Sequence, residues 1–239
     1  MRGIYLVFGY PTVELFSEAV RVAEDAGFDF LEVGIPFSDP VADGPILTKA
    51  SKLAIERGAT FDEAVKWMNG YTGGLSLYVM TYANILWAKG LSLAAKMLED
   101  AGVKGAIVAD LPNTEHGLFL DGGFELPIVP FATPETREKD LKAIEDASGD
   151  FVYFVSVRGT TGGAFGLDEE TERRIEMVRE RCGKPVVIGF GISTSEHVKR
   201  ALSVADGFVI GTRAVSELTK GLNNFESWCR SLTLKVADD

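Results

Sequence analysis

The sequence predicts an α/β protein, a (β/α)8 TIM barrel forming a single domain over residues 1–239. Three observations carry that prediction. Apolar, strand-like runs alternate with amphipathic stretches eight times along the chain. A length of 239 residues suits one such barrel, undivided. The GxGxxG turn that an open dinucleotide-binding sheet would carry after its first strand is absent.

The first strand candidate, GIYLVFG (3–9), starts almost at Met1. No small-residue cleavage pattern follows it, so it reads as a strand and not as a signal peptide. VELFSEAVRVAEDAG (13–27) has helical periodicity and ends on Gly27, which suits a left-handed helix cap. The second strand candidate is FDFLEVG (28–34), and Thr60-Phe61-Asp62-Glu63 matches a capping box that would open a later helix. LSLYVM (75–80) is the third strand; LSLAAKMLEDAG (91–102) is a helix closed by Gly102. GAIVAD (105–110), LPIVPF (126–131) and FVYFVS (151–156) follow as strands four to six. The helix DEETERRIEMVRERCG (168–183) closes on Gly183 and leads to the strand PVVIGF (185–190). Ser193-Thr194-Ser195-Glu196 is a second capping box, and GFVIG (207–211) is the last strand. All eight runs are short, rich in Val, Ile, Phe or Tyr, and bounded by turn formers.

Composition excludes several function classes. The net charge is −11, and no Lys/Arg cluster forms the basic face that a nucleic-acid binder needs. No run of about eighteen apolar residues is present, so no membrane-spanning helix is expected. Cys182 and Cys229 lack CxxC spacing and read as incidental thiols in a reducing cytoplasm. His116 and His197 are too far apart to suggest zinc, and no metal is expected.

In such barrels the chemistry sits at the C-terminal ends of the strands. Alternation along the second strand puts Phe30, Glu32 and Gly34 on one face and Leu31, Val33 and Ile35 on the other. The aliphatic set suits the outer helices, so Glu32 points into the barrel near its mouth. Burial there would favour the neutral carboxyl and raise its pKa, as a proton donor and acceptor near neutral pH requires. The other reading of Glu32 is a carboxylate paired with an interior Lys or Arg. The polar loop GIPFSDPVADGP (34–45) follows, with two aspartates. Asp39-Pro40 is a turn signal. Asp43 lies eleven residues beyond Glu32, far enough to fold back over the mouth, although Asp43-Gly44-Pro45 could also open the next helix.

Three glycine-bearing turns close late strands: Arg158–Gly163, Gly189–Ser193 and Gly211–Arg213. Glycine lets the backbone approach an anion, and the N–H groups opening a helix favour negative charge. Such barrels often hold phosphate with the loops after strands seven and eight, where Gly191 and Gly211–Thr212 fall.

These residues resemble one family, the α subunit of tryptophan synthase. The most specific stretch runs from Leu31 to Pro45, and Tyr82-Ala83-Asn84, Val108–Pro112, Gly159–Gly162 and Gly189–Ser193 follow in the family's order and spacing. The resemblance implies a lyase that cleaves indole-3-glycerol phosphate to indole and glyceraldehyde 3-phosphate by a retro-aldol reaction. It implies that Glu32 and Asp43 are the catalytic carboxylates. Glu32 would protonate the indole ring carbon and take the proton of the side-chain hydroxyl; Asp43 would accept the indole N–H bond. Tyr82 and Tyr153 match family tyrosines at the indole site. Phe8, Met80 and Phe190 would supply apolar walls. Backbone N–H groups of Gly162, Gly191, Gly211 and Thr212 would hold phosphate, and Thr161 would hold the loop after strand six closed near Asp43. The resemblance also implies a β subunit as partner in an αββα assembly. The pyridoxal phosphate belongs to that partner, so this chain needs no cofactor. The Asp39-Pro40 loop, the Tyr82–Asn84 loop and Asp110–Pro112 would face it.

The chain departs from the family pattern in three places. The short helix usual before strand one is missing, which concerns packing more than chemistry. Thr212 stands where serine is common, with a hydroxyl still available to phosphate. Arg158 adjoins Gly159 more closely than is usual. Other readings stay open at this point: a stand-alone indole-releasing lyase, a barrel that only activates β, or another sugar-phosphate isomerase or aldolase. A Schiff-base aldolase would need a strand lysine, and the eight strand candidates contain none.

Overall fold

The computed structural model describes residues 1–155, 167–189 and 191–234. Its eight strands are β1 (Arg2–Val7), β2 (Phe30–Gly34), β3 (Ser76–Thr81), β4 (Gly105–Val108), β5 (Phe131–Ala132), β6 (Val152–Phe154), β7 (Val186–Ile188) and β8 (Gly207–Ile210). All pair in parallel, in the order β4-β3-β2-β1-β8-β7-β6-β5. The sheet curls until its two ends meet at one parallel bridge between Ala106 and Ile128. Helices occupy the connections and form the outer layer.

The fifth strand differs from expectation. It was expected at 126–131 but forms at Phe131–Ala132. Pro127 and Pro130 lack the N–H that a ladder requires. Around them the backbone is served singly: Ala106 donates to the Pro127 carbonyl at 2.8 Å, and Val129 donates to the Ala106 carbonyl at 2.9 Å. At Phe131 the side-chain amide of Asn113 takes the place of a strand neighbour, accepting from its N–H at 2.9 Å and donating to its carbonyl at 2.7 Å.

The two expected helix starts are each capped by a threonine, the second one residue later than expected and without the glutamate of the box. Thr60 caps Phe61–Asn69 by accepting from the Glu63 N–H at 3.3 Å. In the second box the cap is Thr194, not Ser193: it accepts from the His197 N–H at 3.3 Å and opens Ser195–Leu202. Gly27 and Gly183 end their helices in the left-handed region, φ 98° and 61°, where a side chain would be strained.

The barrel interior is filled by rings set opposite glycines. A Cβ on Gly3 would overlap the Phe30 ring, one on Gly34 the Tyr5 ring, and one on Gly189 the Tyr153 ring. The floor is a cluster of Phe30, Tyr78 and Phe151, with centroids 5.3–5.8 Å apart. Its one hydroxyl, on Tyr78, donates to Asp150 at 2.7 Å. The opposite faces of the strands, such as Ile4, Leu6, Leu31 and Val33, are fully buried outside the barrel wall. Phe8 belongs to that outer layer, packed against Phe16 and Trp67 at centroid distances of 5.4 and 6.5 Å. Among the described residues no helix is long and apolar enough to cross a membrane.

Candidate active site

At the C-terminal ends of the strands lies a cavity of ≈ 360 Å³. Glu32, Asp43, Tyr153, Gly191, Gly211 and Thr212 all line it. A larger groove of ≈ 720 Å³ lies outside the barrel, along the helices Val13–Ala26 and Phe61–Asn69. Glu24 there accepts from the Tyr71 hydroxyl at 3.0 Å and the Gly74 N–H at 2.6 Å. The smaller cavity holds the convergent titratable groups, and we take it as the site.

Glu32 sits in the middle of β2, paired in register with Tyr5 on β1 and Tyr78 on β3, and is 0 % exposed. Neither carboxylate oxygen has a hydrogen-bond partner among the described residues. Burial pushes its pKa up to about 8. The Tyr153 hydroxyl faces Glu32 and favours the charged form. It does not meet hydrogen-bond geometry in this state, so desolvation prevails. Among the described residues no cation answers Glu32, so the reading of it as paired with an interior Lys or Arg finds no support there.

Asp43 reaches the same cavity from the loop between β2 and the helix Pro45–Glu56. It is half-buried. Burial raises its pKa and the Tyr82 hydroxyl opposes that rise. Tyr82 stands behind the loop and does not line the cavity. Its hydroxyl accepts from the Ala42 N–H at 3.3 Å, and its ring packs on Phe37 at 5.1 Å. Burial, and after it the charge of Asp43, push the Tyr82 hydroxyl up to about 12, so it stays protonated. Asp39 is exposed, accepts from the Ser38 hydroxyl at 2.5 Å, and shapes the loop from outside.

The far wall is made of turns. Gly191 has φ 74°, a conformation that favours glycine. The following turn is anchored at Ser193, whose carbonyl accepts from the Trp228 indole at 3.0 Å. His197 Nδ1 lies 3.2 Å from the Gly191 carbonyl. Gly211 then opens the helix Thr212–Thr219 with no side-chain cap, so the first N–H groups of that helix have no side-chain acceptor. An anion is favoured there by the backbone dipoles.

The expected apolar wall divides. Met80 lines the cavity; Phe8 does not, because it alternates with Ile4 and Leu6 onto the outer face of β1. Thr161, Gly162 and Phe190 lie outside the described residues. Ser193 and Arg213, inside the two turns expected to hold phosphate, line the cavity too, while Tyr5, Val209 and Ser216 line it and were not anticipated. The alternation that picked out Glu32 would have found Tyr5, which shares a face with Gly3 and Val7. No cluster of metal-ligating side chains is present among the described residues.

The site therefore has a carboxyl that can hold or release a proton near neutral pH, a second carboxylate in a more open loop, and an anion-favouring wall across the cavity. Residues 4–238 match the family model described as tryptophan synthase alpha chain. The tryptophan synthase alpha chain of Aquifex aeolicus is 37 % identical over 217 residues, spanning 88 % of this chain and 83 % of the relative. That of Arabidopsis thaliana is 31 % identical over 239 residues, spanning 95 % and 87 %. A solved structure from Aquifex aeolicus superposes with a TM-score of 0.86 at 33 % identity, over 97 % of this chain and 90 % of that one. A ligand-free tryptophan synthase structure from M. tuberculosis gives 0.86 at 28 % identity, over 98 % and 91 %.

Proposed function

This chain belongs to the tryptophan synthase alpha chain family, and from that premise we propose that Glu32 and Asp43 are the catalytic pair of its reaction. The chain is a carbon–carbon lyase that cleaves indole-3-glycerol phosphate to indole and glyceraldehyde 3-phosphate. It works with a β subunit at the last stage of tryptophan synthesis.

The buried, unpartnered Glu32 carboxyl is the observation that carries the assignment. Held near pKa 8, it is mostly protonated at neutral pH and can give its proton to the ring carbon bearing the side chain. That carbon becomes tetrahedral and the ring nitrogen takes on positive charge. Asp43, ionised, accepts the indole N–H and stabilises that charge. The carboxylate left on Glu32 then takes the proton of the adjacent side-chain hydroxyl. The carbon–carbon bonding pair returns to the ring and the side-chain carbon becomes the aldehyde carbonyl. Protons balance, since Glu32 ends as it began. The different settings of the two carboxyls divide the roles.

Tyr153 orients Glu32, and Tyr82 holds the Asp43 loop from behind. Gly191, Gly211 and Thr212 hold the phosphate, with Gly162 and Thr161 from the loop after β6 and Phe190 against the indole. Residues 1–239 act as one barrel domain in the cytoplasm. The chain needs no cofactor of its own; pyridoxal phosphate serves the β subunit in an αββα assembly. The test is indole release from indole-3-glycerol phosphate, with and without β, by the wild type, Glu32→Gln and Asp43→Asn. Glu32→Gln should lower kcat by roughly 10²–10⁴-fold, and β should raise the wild-type rate. Near-normal turnover by Glu32→Gln would remove it from the mechanism.

A further inference from the structure

The turn at Gly211 carries one charged side chain that the reading above leaves unused. Arg213 lines the cavity at the start of the helix Thr212–Thr219. It is the one cation among the described residues that line this cavity; Glu32 and Asp43 are its anions. The guanidinium lies 2.7 Å from Glu217, one turn along the same helix. Glu217 is buried, and its carboxylate also takes the Lys220 ammonium at 2.9 Å. One carboxylate thus answers two cations, one from each end of the helix, and the Arg213–Glu217–Lys220 cluster keeps a net positive charge. The i,i+4 spacing and the buried carboxylate hold the guanidinium in place. Arginine has five N–H donors in a fixed fork, so a bond to Glu217 leaves others free. Ser216 lines the same wall.

From this geometry we infer that Arg213 is a specificity-determining residue that contacts the substrate's phosphate and selects its dianion. The inference rests on the reading of the cavity as the indole-3-glycerol phosphate site. Backbone N–H groups alone would hold a phosphate by hydrogen bonds and partial charge. A fixed guanidinium adds a full charge and a bidentate fork. It also sets the polarity of the cavity, drawing the phosphate to the wall of turns and leaving the indole to Glu32 and Asp43.

The experiment compares wild type, Arg213→Gln and Arg213→Lys. It measures kcat and KM for indole-3-glycerol phosphate with β present, and inhibition by inorganic phosphate. Arg213→Gln should raise KM and the phosphate inhibition constant together, each roughly tenfold, the low end for a charge-assisted bond because the guanidinium is half-exposed. Its kcat should fall by much less than KM rises. Arg213→Lys should recover part of the loss, as a point charge without the fork. A merely structural Arg213–Glu217 pair would lower the melting temperature and leave the phosphate inhibition constant unmoved. That result, or an unchanged KM in Arg213→Gln, overturns the inference while the lyase reading stands. A wild type that neither releases indole nor responds to phosphate would overturn the reading itself.

Discussion

Phe30 and Glu32 lie two residues apart on β2, on one face of the strand, and are 1 % and 0 % exposed. About 7 Å of strand separates them. At the floor, Phe30 meets Tyr78 and Phe151, and the one hydroxyl in the cluster reaches Asp150. At the mouth, Glu32 has both oxygens unanswered. The floor uses burial for stability, with apolar contact complete and polar groups satisfied. The mouth uses the same burial to hold a carboxyl in its neutral form, at a cost in stability. Stability and chemistry are thus separated along the barrel axis, on a single strand.

The largest expected effect on stability is at the floor. Phe30→Ala should cost roughly 3–5 kcal/mol, through lost contact and the cavity left behind. Urea unfolding would measure it, and KM should stay near its wild-type value. A loss under about 1 kcal/mol would mean that the floor does not carry the stability assigned to it. A smaller effect comes from the mouth, and its sign follows from linkage. The folded pKa of Glu32, about 8, is raised from an ordinary value of 4.5. Below 4.5 the group is neutral in both states. Above it, the unfolded chain releases a proton that the folded chain keeps, so stability falls with rising pH until about 8. Glu32→Gln lacks this loss. Its unfolding free energy should gain on the wild type across that interval, by ~5 kcal/mol at most. A difference that stays flat between pH 5 and 8 would contradict the mouth half of the comparison.

Much of this was legible in the residues. Short apolar runs between turn formers placed every strand but β5, and alternation alone turned Glu32 inward. Strand β5 escaped because Pro127 and Pro130 look like strand punctuation in sequence but remove ladder donors in space. The closure at Ala106 and Ile128 joins parts of the chain that share no local pattern. Phe8 was misplaced by its nearness to a strand end, when its parity with Ile4 and Leu6 already put it outside. Tyr5 was overlooked although the same parity put it inside. At Gly211–Arg213 the glycine drew the reading toward backbone donors, and the arginine's direction depends on Glu217, one turn further on.

The most direct measurement is the titration of the Glu32 carboxyl itself, by carbon-13 NMR of protein labelled at glutamate, with Glu32→Gln to assign the signal. The account predicts a carboxyl that stays protonated through neutral pH and titrates near 8. A signal that titrates near 4.5 would show a solvated or paired carboxylate at the mouth, and the account of Glu32 as the proton carrier would fall.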